Sequence, residues 1–496
     1  MTYDIAATNN DVGSCQQTGF FLFGSADPPG LTSTVNPQSF FPVDSGQTVT
    51  FPFTVTSTDE AEPGINQVPF SLFDFNQGVV AAGSVAYEVT APTGCFVRTS
   101  RELMIKNVSV VDDPVRASPG DTAVDPRAGA WTFGRLMKNM APSAAAAPDF
   151  VEQLFSTWLA DRMVNGFTVP ARSFMQAQVL DTWPRTANGK LDLNQSPLRL
   201  LSIVNRVDLR NLALGNAGEG RFVFGVLDAQ GFPLQFTVIL EYHLPATTQA
   251  QVLDWASSWH ALGNHPFPSE EYNVALQALT ERFTGRNAAP GLMNGSALSQ
   301  LRTNEIALSN PWELREFTLS PATGFLQEDT IKLTPDLGFD GTPKLADFIN
   351  ANEPAILAEQ HTVPLSFQGS PFLGGAVFNN LNAWKAPGIN NNEARHHFSL
   401  NTCNGCHSAE ETGTFFLQVN PRFPGSEAQL SGFLTGITVS DPVTFQPRTF
   451  NDLARRKTDL TQLVCAPPPA APVNGKVSAA SAGQTAFISK GISRVH

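Results

Sequence analysis

The chain has 496 residues, 42 % hydrophobic and only 15 % charged, with 38 Gly and 37 Pro. That is too long for one small core, so several packed domains joined by many turns are expected. A net charge of −13 argues against nucleic acid or an anionic membrane as partner, and no run of 18 apolar residues marks a transmembrane helix.

Residues 1–112 read as all-β. Thr48 to Ser57 alternates apolar and polar side chains, Val79–Thr90 and Leu103–Val111 read similarly as strands, and Gly/Pro/Asp turns separate them. Short strands at this spacing predict a β-sandwich, immunoglobulin-like in its pattern. Residues 113–195 read as a Pro-rich linker followed by helices. A short helix is expected over Trp131–Met140, a longer one over Asp149–Met163 with Asp149 as N-cap, and another over Ser173–Trp183.

Residues 196–335 read as an α+β domain. Arg221–Ala229 and Leu234–Leu244 flank Gln230-Gly231-Phe232-Pro233 and predict a hairpin; Thr247–Leu262 and Ser269–Phe283 predict helices. Further strands are expected at Asn304–Leu308, Glu313–Leu319 and Phe325–Leu333. Gly215-Asn-Ala-Gly-Glu-Gly220 lacks the Lys-Ser/Thr of a phosphate loop and reads as a turn before the Arg221 strand. Residues 336–465 read as mainly helical and loop-rich, and 466–496, opening Ala-Pro-Pro-Pro-Ala-Ala-Pro, as a disordered tail. The fold class expected is therefore multidomain α+β: an all-β first domain, an α+β middle and a mainly helical third region.

The five cysteines are Cys15, Cys95, Cys403, Cys406 and Cys465. That is too few for a disulfide scaffold, although Cys15 and Cys95 are placed to pair within the first domain. The chemistry concentrates at Cys403-Asn-Gly-Cys406-His407. On a helix, residues three and four apart share a face, so both thiols and the imidazole point the same way. Asn401 or Thr402 is placed to cap that helix. The residues alone leave three chemistries open. A redox dithiol needs a strand–turn–helix setting; zinc needs a fourth ligand, with Cys465 or His397 available; a local disulfide needs nothing more.

The motif resembles the attachment site of c-type cytochromes. The resemblance implies one covalent haem c held by Cys403 and Cys406, with His407 as proximal iron ligand. Leu-Arg-Thr-Asn-Glu-Ile (301–306), Pro-Trp-Glu-Leu-Arg-Glu-Phe (311–317), Phe-Ser-Leu-Asn-Thr-Cys-Asn-Gly-Cys-His (398–407) and Phe-Asn-Asp-Leu-Ala-Arg-Arg (450–456) resemble large exported bacterial proteins that carry a single such motif. This implies a periplasmic, extracellular or cell-surface setting. The opening Met1-Thr-Tyr-Asp-Ile has neither basic nor apolar signal character, so a secretion signal is expected to be absent from this sequence.

The sixth iron ligand decides the function. Small electron-transfer cytochromes place a Met downstream of the motif, and here no Met follows Met293. His361, His397 and Met293 are the leading upstream candidates, with His243, His260, His265 and His396 behind them. Glu410, Glu411 and Arg395 are candidates for a distal acid and charge stabiliser, and Arg422, Arg455 and Arg456 for partners of the haem propionates. Three functions follow: electron transfer with a redox partner protein or small oxidant; a haem peroxidase or oxygenase with an open distal site; or a binding or structural protein in which the β-sandwich does the work.

Overall fold

Alternation of side chains builds the first part of the chain. In the computed structural model, which describes residues 1–465 apart from 13–16, 26, 29, 59, 76, 91–93 and 379–382, Thr48–Ser57 is a strand that buries Val49, Phe51, Phe53 and Val55. It belongs to the first of two compact units, Met1–Arg98 and Thr99–His496. Among the described residues the first unit has seven strands: β1 Thr2–Thr8, β2 Gln17–Gly24, β3 Leu31–Val35, β4 Ser39–Asp44, β5 Thr48–Ser57, β6 Gly64–Asp74 and β7 Gly78–Val89. They form two antiparallel sheets, β1-β5-β3 and β4-β2-β6-β7. Phe20, Leu22 and Val68 from one sheet share a core with Phe51, Phe53 and Val55 from the other.

The expected pairing of Cys15 with Cys95 does not form: Cys95 is joined to Cys465 in a disulfide, and Cys15 lies outside the described residues. His496 and the rest of the expected tail also lie outside them. No helix among the described residues is long and apolar enough to cross a membrane.

The second unit is organised by one eight-stranded antiparallel sheet. Its strands are β8 Met104–Ile105, β9 Leu198–Arg206, β10 Asn216–Leu227, β11 Pro233–Pro245, β12 Leu298–Glu305, β13 Glu313–Leu319, β14 Leu326–Asp329 and β15 Val377–Phe378. The order is β14-β13-β12-β11-β10-β9-β8, with β15 pairing β13. The predicted hairpin is β10–β11, with Val223 opposite Ile239. The division of the chain falls at Arg98/Thr99 rather than at residue 112, because β8 pairs with β9. Leu103–Val111 is thus not one strand: after Ile105 a short helical turn, Val108–Val111, is capped by the Asn107 side chain.

Strand parity gives the sheet two chemically distinct faces. Phe222, Phe224, Tyr242 and Phe317 lie on one. Helices α1 Phe133–Met140, α2 Ala147–Ser156, α3 Gln249–Ala261 and α4 Glu270–Thr284 cover it. Phe133 packs on Phe224, and Phe283 on Phe222 and Tyr242, with ring centroids 5.6–6.4 Å apart. Gly220 is required here, since a Cβ at that position would sit 2.4 Å from the Phe283 ring. The segment expected to begin a helix at Asp149 starts at Ala147, has Pro148 in its first turn and ends at Ser156. Ser173–Trp183 contributes only a π-helical turn, Gln176–Leu180.

The other face carries charge. Arg206 lies opposite Glu219, Arg221 opposite Glu241, and Arg302 opposite Glu316. All six are buried. Segments from residue 400 onward cover this face: Cys406, Val419, Phe433, Leu434, Phe450 and Leu453 pack with Met104, Val204 and Val223.

Nearer the sheet edge, Glu305 is buried against Arg172, 2.7 Å away, and burial pushes its carboxyl up to about 7. The folded protein therefore holds a proton that the unfolded chain releases above its ordinary value of about 4.5. Stability from this group is present below pH ~4.5 and lost as pH rises to ~7. Thermal melts at pH 5 and pH 7 should show a smaller fall in Tm for Glu305→Gln than for the unmodified protein; equal falls would refute the assignment.

Candidate functional site

The motif sits on two abutting helices. Helix α5, Asn392–Leu400, is capped by Asn391 and ends at Asn401. The next, α6, is the single turn Cys403–Cys406, capped by Thr402, whose hydroxyl accepts from Gly405 N at 3.1 Å. A Cβ on Gly405 would lie 1.8 Å from the Ser399 carbonyl oxygen. Glycine is therefore what lets α6 turn back against α5.

Cys403 and Cys406 are buried and free of disulfides. Cys403 N donates to Thr334 Oγ1 at 2.9 Å, and Gln418 Nε2 donates to the Cys406 carbonyl at 3.0 Å. Burial pushes the Cys403 thiol up to about 11 and raises that of Cys406 as well. Nucleophilic dithiols need the opposite shift.

His407 is fixed more tightly than the spacing alone implied. Its Nδ1 is hydrogen-bonded to the Phe416 carbonyl, which also accepts from Asn304 Nδ2 of β12 at 3.0 Å. A carbonyl only accepts, so Nδ1 carries the proton and Nε2 keeps its lone pair. Trp312 lies 5.4 Å from the imidazole, centroid to centroid, and stacks on Phe416. Burial pushes His407 down to about 4, which keeps the ring neutral.

Cys403, Cys406 and His407 line one cavity against the charged face of the sheet. Its water-sized interior is about 90 Å³, several times the roughly 10–15 Å³ that one water needs. Val204, Val223, Ile239, Leu314, Val419 and Leu434 supply apolar wall; Arg206, Arg221, Arg302, Arg456 and Glu241 supply charge.

The donor set fits haem c: two thiols, an imidazole with a free Nε2, and apolar surface for a macrocycle share one space. Zinc fits less well. The three motif groups do not converge among the described residues as a set of metal donors within 4.8 Å. Nor are the expected fourth ligands at hand, since Cys465 is in the disulfide and His397 Nδ1 lies 3.5 Å from Glu359.

No protein-family model, no curated protein and no solved structure matches this chain.

The predicted distal candidates lie elsewhere. His361 is buried with both ring nitrogens unpartnered, its ring 5.9 Å from Phe398, but it does not line the cavity. Neither does His397, nor Met293, which is half-buried in the turn Met293–Gly295. Arg395 and Glu411 are not distal groups: they form a buried ion pair at 2.8 Å, joined by Asp441 and His396. Glu410 faces Lys385 at 4.0 Å. Arg422 is bound to Asp112 and Arg455 to Asp208 and Asp452, so of the three expected propionate partners only Arg456 reaches the cavity.

Sequence reading missed Met104 and the sheet arginines. Met104 lines the cavity from β8 and is, outside the motif, the only sulfur or imidazole among the described lining residues. The arginines left a signal: Glu219/Arg221, Arg302 and Glu316 occupy strand positions of one parity.

Gly405→Ala should destabilise the protein by about 1–3 kcal/mol, as overpacking does. Chemical denaturation measures this, and an unchanged midpoint would show that α5 and α6 do not abut as described.

Proposed function

We propose that this chain is an exported, mono-haem c-type cytochrome-like protein that transfers electrons through haem c held by Cys403, Cys406 and His407. The observation that carries the reading is His407. Its Nδ1–H is committed to the Phe416 carbonyl and leaves Nε2 as a ligand, on the wall of the same cavity as both thiols. When bound, haem supplies reversible one-electron chemistry. The chain's part is to tether it through the two cysteines, to orient the imidazole through Phe416, Asn304 and Trp312, and to exclude water with the Val and Leu walls. Met104, which lines the same cavity, is the further residue that could ligate the iron when haem is bound.

The Cys95–Cys465 disulfide supports maturation in an oxidising compartment, periplasmic or extracellular. The partner on this reading is a redox protein or a small oxidant. The two sheets of the first unit are in keeping with an immunoglobulin-like sandwich.

A second reading, an enzyme acting on a small oxidant such as a peroxide, is favoured by Glu241 on the cavity wall. It lies 3.3 Å from Arg221 and 3.4 Å from Arg302, an acid beside two cations able to stabilise developing negative charge.

Absorption spectra separate the two. Electron transfer predicts six-coordinate, low-spin bands that cyanide and peroxide leave unmoved, and a Met104→Ala variant whose bands cyanide shifts. Immediate cyanide binding by the unmodified protein together with peroxide turnover would give the assignment to the enzyme.

A further inference from the structure

The cavity wall is unusually rich in guanidinium groups. Arg206, Arg221 and Arg302 reach it from β9, β10 and β12, on the same strand faces as Val204, Val223 and Asn304. Arg456 reaches it from helix α7, Asp452–Val464. Each is no more than 9 % exposed. One acid, Glu241, shares the wall.

The counter-charges stand behind. Asp208 lies 2.9 Å from Arg206, Glu219 2.6 Å from Arg221, Glu316 3.0 Å from Arg302 and Asp452 2.5 Å from Arg456, and none of these four acids lines the cavity. The network is thus polarised, with four guanidinium groups and one acid, Glu241, toward the cavity and four acids away from it. Buried ion pairs are weak contributors to stability, and apolar replacements are often as stable; cross-strand pairing fixes register but does not call for the donors to face a cavity. Arg456 adds a direct sign of an incomplete site. Its Nε is buried without a hydrogen-bond partner. Burial and the neighbouring Arg206 push its guanidinium down to about 10, a crowding of like charge that an anion relieves.

We propose that this arginine wall is a carboxylate-binding surface, which takes the acid groups of an otherwise apolar cavity ligand. Guanidinium forks match carboxylates in geometry and in charge. Resting on the haem reading above, the acids are the two propionates of the tetrapyrrole. The wall then selects for the free diacid and sets how the ligand lies in the cavity. Arg422 and Arg455 take no part, being engaged with Asp112, Asp208 and Asp452.

The test uses the full chain carrying Cys403→Ala and Cys406→Ala, with His407 retained, so that nothing is bound covalently. It is titrated with iron protoporphyrin IX and with its dimethyl ester, followed by absorbance and tryptophan fluorescence. The diacid should bind at least tenfold more tightly than the ester. Adding Arg456→Gln should shrink that ratio and Arg456→Lys should restore part of it, whereas Arg422→Gln should leave it alone. The comparison of acid with ester needs no arginine variant, so it stands even if Arg456→Gln fails to fold. Equal affinity for acid and ester overturns the carboxylate surface and leaves the haem reading intact. If neither porphyrin binds, the propionate assignment fails. Succinate then decides: binding that Arg456→Gln weakens supports the surface with a small dicarboxylate as its ligand, and no binding overturns it.

Discussion

The constraint on which the second unit depends is a ladder of buried charge across its sheet. Arg206–Glu219, Arg221–Glu241 and Arg302–Glu316 are cross-strand partners on one face. Arg221–Glu241 and Arg302–Glu316 are also ion pairs, while Arg206 pairs with Asp208 and Glu219 with Arg221; removing one member of such a buried pair strands the other charge in low dielectric, at a cost of about 3–5 kcal/mol. A slip of one residue in any of these strands would turn its charge into the aromatic layer of Phe222, Phe224 and Phe317. The ladder therefore locks the register of β9 to β13. That register in turn places Val204, Val223, Ile239 and Asn304 under the motif.

The motif is tied to this sheet rather than resting on it. Asn304, a residue of the charged face, donates to the Phe416 carbonyl that also holds His407. Thr334 anchors Cys403, and Gln418 anchors Cys406. The backbone of both cysteines and the His407 ring are thus held from outside their own helix. Local chain chemistry supplies the rest: a Thr402 cap, and a glycine where α6 meets the end of α5.

Much of this was legible in the sequence, for physical reasons. Thr48–Ser57 alternates strictly because one of its faces is buried and the other is not. The β10–β11 hairpin announced itself through two apolar runs around a Gly-Phe-Pro turn. The motif itself needs only local spacing. What escaped was long-range. Leu298–Glu305 begins six residues before the expected strand, because buried Gln300 and Arg302 disguise it as a polar segment. Arg395 and Glu411 look like a solvated helix face until Asp441, some 30 residues on, closes their network. Met104 lies about 300 residues from the motif in sequence, and strand pairing alone brings it to the cavity. Cys95 meets Cys465 rather than the nearer expectation, Cys15.

The central claim is that Cys403 and Cys406 carry haem. It is tested most directly on the full chain matured in a periplasm with haem-attachment machinery, by mass spectrometry of the peptide spanning residues 398–417 and a pyridine haemochrome spectrum of the same sample. The account predicts one haem per chain, bound through both cysteines, with c-type absorption. Two unmodified thiols on that peptide, in protein that has folded and formed the Cys95–Cys465 disulfide, would contradict it.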